Sequence, residues 1–283
     1  MMTISRRTLL RTTAAGLAAS IGGKAFAGAS YDPGASDAEI RIGQFGPLSG
    51  PVSSFGVLAN AMDAYFRMLN DAGGINGRKV NLIQYDDAYS PPKAVEQVRK
   101  LVESDEVLLI FQALGTPSNS AIMKYMNAKK VPQLFVASGG TKFGDPKNFA
   151  WTMGWQPNYQ SEGRIYSKYI LDKFPNGKIA VLWQNDDAGK DYGNGFKKGL
   201  GPDNTAKMVV AEATYESTDP TVDSQIVKLK ASGANVLFMH AIPKQAAQAI
   251  NKIGEIGWKP DMFILAATST SVSSVLKPAG FEH

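Results

Sequence analysis

Short apolar runs alternate along this chain with stretches that repeat an apolar residue every three or four positions. Val107–Phe111 (VLLIF) is the clearest run, of the kind a buried parallel strand needs. Gln112–Ser120 breaks it with Gly115, Pro117 and a cluster of hydroxyls. Ala121–Lys130 then reads as a helix with Ile122, Tyr125 and Met126 on one side. Pro132–Val136 (PQLFV) is a second strand, and it stops at Ala137-Ser138-Gly139-Gly140-Thr141. Neighbouring parallel strands end on the same edge of a sheet, and open α/β sheets bind ligands in the crevice outside those carboxyl ends. Gly115-Thr116 and Ser138–Thr141 are therefore expected to face a common gap. Ordinary strand-to-helix turns use the same residues, so both readings stand at this point.

The pattern extends in both directions. Glu39–Phe45 (EIRIGQF) predicts a strand running into Gly46-Pro47-Leu48-Ser49-Gly50. Gly56–Ala72 predicts a helix with Val57, Ala61, Tyr65, Met68 and Leu69 on its buried face, closed by Gly73-Gly74. Lys79–Asp86 is a further strand. Ser90-Pro91-Pro92 opens a helix with an Ala94, Val95, Val98, Leu101, Val102 stripe. Trp151–Pro157 carries no clear period, and a crossing between lobes is placed there. Asn158–Lys173 predicts a helix with Ile165, Tyr166, Tyr169 and Ile170 inward. A second series follows: strands at Lys178–Trp183, Lys207–Ala213, Val236–Met239 and Met262–Leu265, a polar loop at Gln184–Asp191, and helices at Thr221–Ser232 and Pro243–Ile256. Alternating strands and helices argue for parallel sheets with right-handed crossovers, and the break argues for two lobes.

The N-terminus changes the charge argument. Ser5-Arg6-Arg7-Thr8-Leu9-Leu10-Arg11, a small-residue apolar stretch and Ala25-Phe26-Ala27 together predict a twin-arginine signal peptide over residues 1–27. Its apolar part is too short for a spanning helix. Four of the 30 basic residues (Arg6, Arg7, Arg11 and Lys24) lie in it, which leaves 26 against 25 acidic ones. A near-neutral chain without a basic cluster is not expected to bind nucleic acid. With no cysteine, disulfides, thiolate metal sites and a cysteine nucleophile are excluded. Two histidines, His240 and His283, are too few for a His-rich metal site. Asp86-Asp87 and Asp186-Asp187 read either as metal ligands or as helix caps. Gly193-Asn194-Gly195 with Gly199 has the wrong spacing for a dinucleotide loop and no strand immediately before it. No cofactor is expected, and no G-x-x-x-x-G-K-S/T, H-E-x-x-H or G-x-S-x-G run is present.

Ile40–Gly50 (IRIGQFGPLSG), the helix ending Gly73-Gly74-Ile75-Asn76-Gly77, Tyr85-Asp86-Asp87-Ala88, Val131–Leu134 followed by Ser138–Thr141, and Asp191–Gly195 resemble the periplasmic binding proteins for branched-chain amino acids. The resemblance implies an α/β fold of two lobes, the type I periplasmic binding fold, each lobe a parallel sheet flanked by helices. Residues 28–154 would form the first lobe and 155–283 the second, with a C-terminal part of the fold missing beyond His283. A first lobe so truncated is expected to expose apolar surface. The implied function is the extracytoplasmic component of an ABC importer, a periplasmic monomer that captures a small organic ligand by hinge closure and delivers it to permease subunits. A ligand-sensing receptor of the same fold is the alternative, and an enzyme on an α/β fold a third.

The resemblance also implies a ligand site. Leu114, Gly115 and Thr116 correspond to the carboxylate-binding loop, with Gly115 where the family commonly has serine. Ser138, Gly139, Gly140 and Thr141 correspond to the loop holding the head-group threonine. Phe55 corresponds to a lid aromatic and Tyr192 to a closing tyrosine. His240 and Ala241 stand where a tyrosine is usual. Ala267 and Thr268 stand where amino-acid binders carry an acid for the ammonium. An unpaired ammonium in a desolvated cleft costs several kcal/mol, so an aromatic or short organic acid is expected in place of a free aliphatic amino acid.

Overall fold

The computed structural model describes residues 31–280. The predicted signal peptide and His283 lie outside them. Contacts divide the chain between Asp32 and Pro33, and the unit from Pro33 onward is the one described below.

The first lobe is a five-stranded sheet of order β2-β1-β3-β4-β5, with β1 at Glu39–Gly46, β2 at Lys79–Asp86, β3 at Leu109–Phe111, β4 at Gln133–Val136 and β5 at Thr152–Gly154. Every pairing is parallel. Three helices connect it: α1 (Val57–Asp71), α2 (Pro91–Glu103) and α3 (Thr116–Lys129). The second lobe is a four-stranded parallel sheet of order β7-β6-β8-β9, made by β6 (Ile179–Gln184), β7 (Val209–Tyr215), β8 (Val236–His240) and β9 (Met262–Leu265). Its helices are α4 (Tyr159–Lys173), α5 (Asp187–Leu200), α6 (Pro202–Met208), α7 (Asp223–Ala231) and α8 (Pro243–Glu255). This is the expected architecture. Among the described residues no helix is long and apolar enough to cross a membrane.

The second sheet is covered on both faces. Every residue of β6 and β8 is buried. Ala180, Leu182, Leu237 and Met239 pack in one core, while Ile179, Val181, Trp183, Val236 and Phe238 pack in the other. That is why these strands read as continuous apolar runs. In the first lobe Phe45, Ile110 and Ala113 pack with Val98, Leu101, Ile122 and Met126 of α2 and α3. Another set of aromatic rings runs Tyr65, Phe66, Phe111, Phe135, Trp155 in edge-to-face contacts of 5.6–5.7 Å. Trp155 at its end is 63% exposed, with Met68 and Met153 also exposed. The apolar surface expected on the first lobe is present.

Four expectations need correcting. On α1, Val57, Tyr65 and Met68 are exposed, and Ala59 and Met62 are buried. The helix carries two apolar stripes, and periodicity cannot tell which of them meets a sheet. On α4, Ile170 is buried, but Ile165 and Tyr169 face out. The α3 helix starts at Thr116, inside the predicted loop, with Pro117 in its first turn where a missing N–H costs nothing. Finally, α5 begins at Asp187, inside the predicted polar loop Gln184–Asp191, and runs on to Leu200, where no helix is predicted. Its glycines lower helix propensity, yet they are what lets it pack. A Cβ at Gly195 would stand 2.3 Å from Gln160 Cα, and one at Gly163 would stand 2.7 Å from the Phe196 nitrogen. Gly195 and Gly199 thus serve a close helix crossing with α4.

Candidate ligand-binding site

A cavity of about 570 Å³ lies at the carboxyl ends of both sheets, within the usual size of a small-molecule site. The first lobe lines it with Phe55, Leu58, Tyr89, Leu114, Gly115, Thr116 and Ala137. The second adds Tyr159, Glu162, Tyr166, Gln184, His240, Ile242, Ala267 and Thr268, among others. Among the described residues no lysine or arginine lines it.

The two small-residue loops meet as expected. A parallel bridge between Leu114 and Ala137 carries the ladder past the ends of β3 and β4. The Ala137 N–H donates to Ala113 O at 3.0 Å. Thr116 Oγ1 and Ser138 Oγ then lie 2.7 Å apart, and Ser138 Oγ also accepts from the Gly140 N–H at 3.0 Å. Both hydroxyls are buried.

Gly115 has φ +109°, and a Cβ there would stand 2.8 Å from Tyr89 Cε2. The ring of Tyr89 occupies the space a side chain at this position would use. Tyr89 reaches this place through a left-handed turn, with Ala88 at φ 49° and Tyr89 at φ 60°. Such geometry is strained for residues other than glycine. The carboxylates of Asp86 and Asp87 hold it, accepting from the N–H groups of Ala88 and Tyr89 at 2.9 Å. Asp87 is buried, takes a second bond from Ser118 Oγ at 2.6 Å, and has its carboxyl pushed up by burial.

Helix α4 begins at Asn158, whose side chain accepts from the Ser161 N–H at 2.8 Å. Helical spacing puts Tyr159, Glu162 and Tyr166 on one face, and all three line the cavity. Glu162 Oε1 accepts from the Tyr166 hydroxyl at 2.7 Å and from the Ala267 N–H at 2.9 Å, and its Oε2 accepts from the Tyr192 hydroxyl at 2.5 Å. Burial, and then the charge of Glu162, push the Tyr192 phenol far above its ordinary value. Tyr159 stacks on Tyr192 with ring centroids 4.5 Å apart.

His240 lies 4.2 Å from the Tyr192 ring, and its Nδ1 is 3.0 Å from Thr268 Oγ1. Its Nε2 is buried with no partner. Burial pushes the imidazole down to about 3, so the ring is neutral at ordinary pH. Asp186 caps α5, accepting from the N–H groups of Ala188 and Gly189, and Gln184 Nε2 donates to its other oxygen at 2.6 Å. Among the described residues no three His, Asp or Glu side chains are grouped to hold a metal.

Of the residues singled out from the sequence, Phe55, Leu114, Gly115, Thr116, His240, Ala267 and Thr268 line the cavity. Ser138 sits one hydrogen bond behind Thr116. Gly139 passes beneath Tyr159, where a Cβ would come within 2.5 Å of the ring. Gly140 supports Ser138, and Ala241 is buried against Ser269. Thr141 is exposed, and its N–H donates to Asp191 Oδ2 at 2.6 Å. Tyr192 is wholly buried behind the wall. Tyr89, Tyr159, Glu162 and Gln184 were not foreseen. The Tyr-Asp-Asp-Ala-Tyr turn and the Asn158 cap were the only local signals for the first three.

The chain matches the periplasmic binding protein family over residues 39–282. A Leu/Ile/Val-binding protein homolog 2 of Brucella abortus is 25% identical over 253 residues, covering 87% of this chain and 66% of that protein. A substrate-binding periplasmic protein from Ralstonia solanacearum superposes with a TM-score of 0.76 at 26% identity, over 85% of this chain and 67% of that one. An ABC transporter solute-binding protein of R. palustris, in complex with benzoate, superposes at 0.73 with 19% identity, over 85% and 66%. The chain thus spans about two thirds of the length of each of these three proteins. With two parallel sheets meeting at one cavity, and with these relatives, the chain belongs to the periplasmic binding protein family.

Proposed function

We propose that this chain captures a small organic carboxylate in the periplasm and hands it to the permease of an ABC importer, without converting it. Residues 28–154 and 155–283 are the two lobes, and they close about the segment around Trp155–Asn158. Export by the twin-arginine route and a monomeric state belong to the same reading.

The observation that carries it is the Thr116–Ser138 hydroxyl pair, 2.7 Å apart at the lip of the first sheet. Thr116 opens α3 and lines the cavity, and the positive end of a helix favours an anion. Much of the remaining wall is apolar and aromatic, with Phe55, Leu58, Tyr89, Tyr159, Tyr166 and Ile242, while Glu162, Gln184, His240 and Thr268 add polar groups. An aromatic acid suits it better than a compact hydrophilic one. The benzoate held by the R. palustris protein is in keeping with that.

A thermal-shift screen of aromatic acids, short organic acids and aliphatic amino acids tests the reading. Stabilisation by aromatic acids is the expected outcome. Stabilisation by leucine or valine alone would defeat it. Recovery of a chemically altered ligand after incubation would point to an enzyme.

A further inference from the structure

Glu162 brings a carboxylate to the cavity wall. Among the described residues no lysine or arginine lines the cavity, and no cationic side chain lies within 4.0 Å of the Glu162 carboxylate. The acid is held in place by Tyr166, Tyr192 and the Ala267 N–H. A carboxylate offers about four acceptor positions. Three are filled, and the open one is on Oε2. The charge also stays on the opposite lobe from the Thr116–Ser138 pair, because Glu162 belongs to α4 and Thr116 to α3.

We propose that Glu162 sets the specificity of this site, selecting ligands that carry a hydrogen-bond donor at the end away from their carboxylate and rejecting those with a second carboxylate there. This rests on the reading of the site as one for small aromatic acids. A phenolic hydroxyl or an aryl amine can occupy the open position on Oε2. A plain phenyl ring desolvates the carboxylate and returns nothing. A second carboxylate meets a like charge in a space with little water, which disfavours it further. The three protein donors keep Glu162 oriented while the cavity is empty, so the selective group is in place before the ligand arrives.

The test is calorimetric titration of the full chain with benzoate, 4-hydroxybenzoate, 4-aminobenzoate and terephthalate, repeated on Glu162→Gln. The expected order places 4-hydroxybenzoate and 4-aminobenzoate at least about tenfold tighter than benzoate, as a hydrogen bond to a charged group implies. Terephthalate binds more weakly than benzoate. In Glu162→Gln these differences shrink to about threefold or less and terephthalate recovers. The wild-type ranking stands alone should the variant fold poorly. Equal binding of all four acids, or an unchanged ranking in Glu162→Gln, would overturn the role of Glu162 and leave the aromatic-acid site standing. Failure of all four acids, with leucine or valine binding, would remove the site reading and this proposal together.

Discussion

Lys142 of the first lobe places its Nζ 2.8 Å from Asp187 Oδ2, in the first turn of the second lobe's helix α5. The lysine holds the Asp187 carboxyl below its ordinary range. Beside it the Thr141 N–H donates to Asp191 Oδ2, whose other oxygen accepts from Gln160 Nε2 at 3.0 Å. The Lys142–Asp187 and Thr141–Asp191 contacts join the two lobes. Lys142 and Asp187 are 37% and 46% exposed, so the pair is worth about 0–1 kcal/mol. Lys142→Ala is expected to raise a ligand's Kd by less than about fivefold, with most of the change lost in high salt. A larger change that survives high salt would show that the pair governs closure.

The two loop threonines separate the site from its rim. Thr116→Val removes a buried hydroxyl that lines the cavity and leaves Ser138 with one partner fewer. Ligand affinity is expected to fall by about 1–3 kcal/mol. Thr141→Val keeps the N–H that reaches Asp191, and affinity should stay within about twofold. Titration of both variants with one ligand decides it. A larger loss in Thr141→Val would move the site outward.

Gly115→Ser is expected to harm this chain. Its backbone is at φ +109°, and the new Cβ would press on Tyr89. Strain and displacement of the ring together should cost about 1–3 kcal/mol, read as a lower urea midpoint at unchanged slope. A second substitution, Tyr89→Ala, frees the space. If Gly115→Ser costs as much in that background, the ring is not the obstacle.

The buried imidazole makes a pH prediction. His240 sits near 3 in the folded chain, against an ordinary 6.5. Between those values the unfolded chain binds a proton that the folded chain does not. The stability contributed is therefore complete above about pH 6.5 and lost as pH falls toward about 3, at ~1.4 kcal/mol per unit. From pH 7 to pH 5 the loss is about 2 kcal/mol. Asp87 and Asp186, both raised by burial, act with the opposite sign, so His240→Gln is the reference. Denaturant curves should show a shallower pH dependence in the variant. Equal slopes would mean that the imidazole reaches water.

Buried Tyr192 is expected to matter through Glu162 and not by touching ligand. Tyr192→Phe keeps the stack on Tyr159 and removes the donor to Oε2. The fold should lose about 1–3 kcal/mol. Because Glu162 then loses one of the three donors that orient it, 4-hydroxybenzoate should lose more affinity than benzoate.

The sequence by itself determined most of the strands and helices, the parallel sheets and the meeting of Thr116 with Ser138, but not β5, which lies where Trp151–Pro157 shows no period. Those follow from local rules: continuous apolar runs suit buried parallel strands, and Gly, Pro and hydroxyl residues stop them. It did not reveal α5, whose glycines weaken the helical pattern while admitting α4 at close range. Nor could it tell which stripe of α1 meets the sheet, because burial is a property of the partner and not of the period. Only the tertiary structure decided the character of the cavity. Tyr89 enters through a left-handed turn held by two aspartates, and Glu162 reaches Ala267 across 105 positions of chain. A carboxylate held by groups that far apart in sequence leaves no spacing to read, and its place is set by how the helices pack.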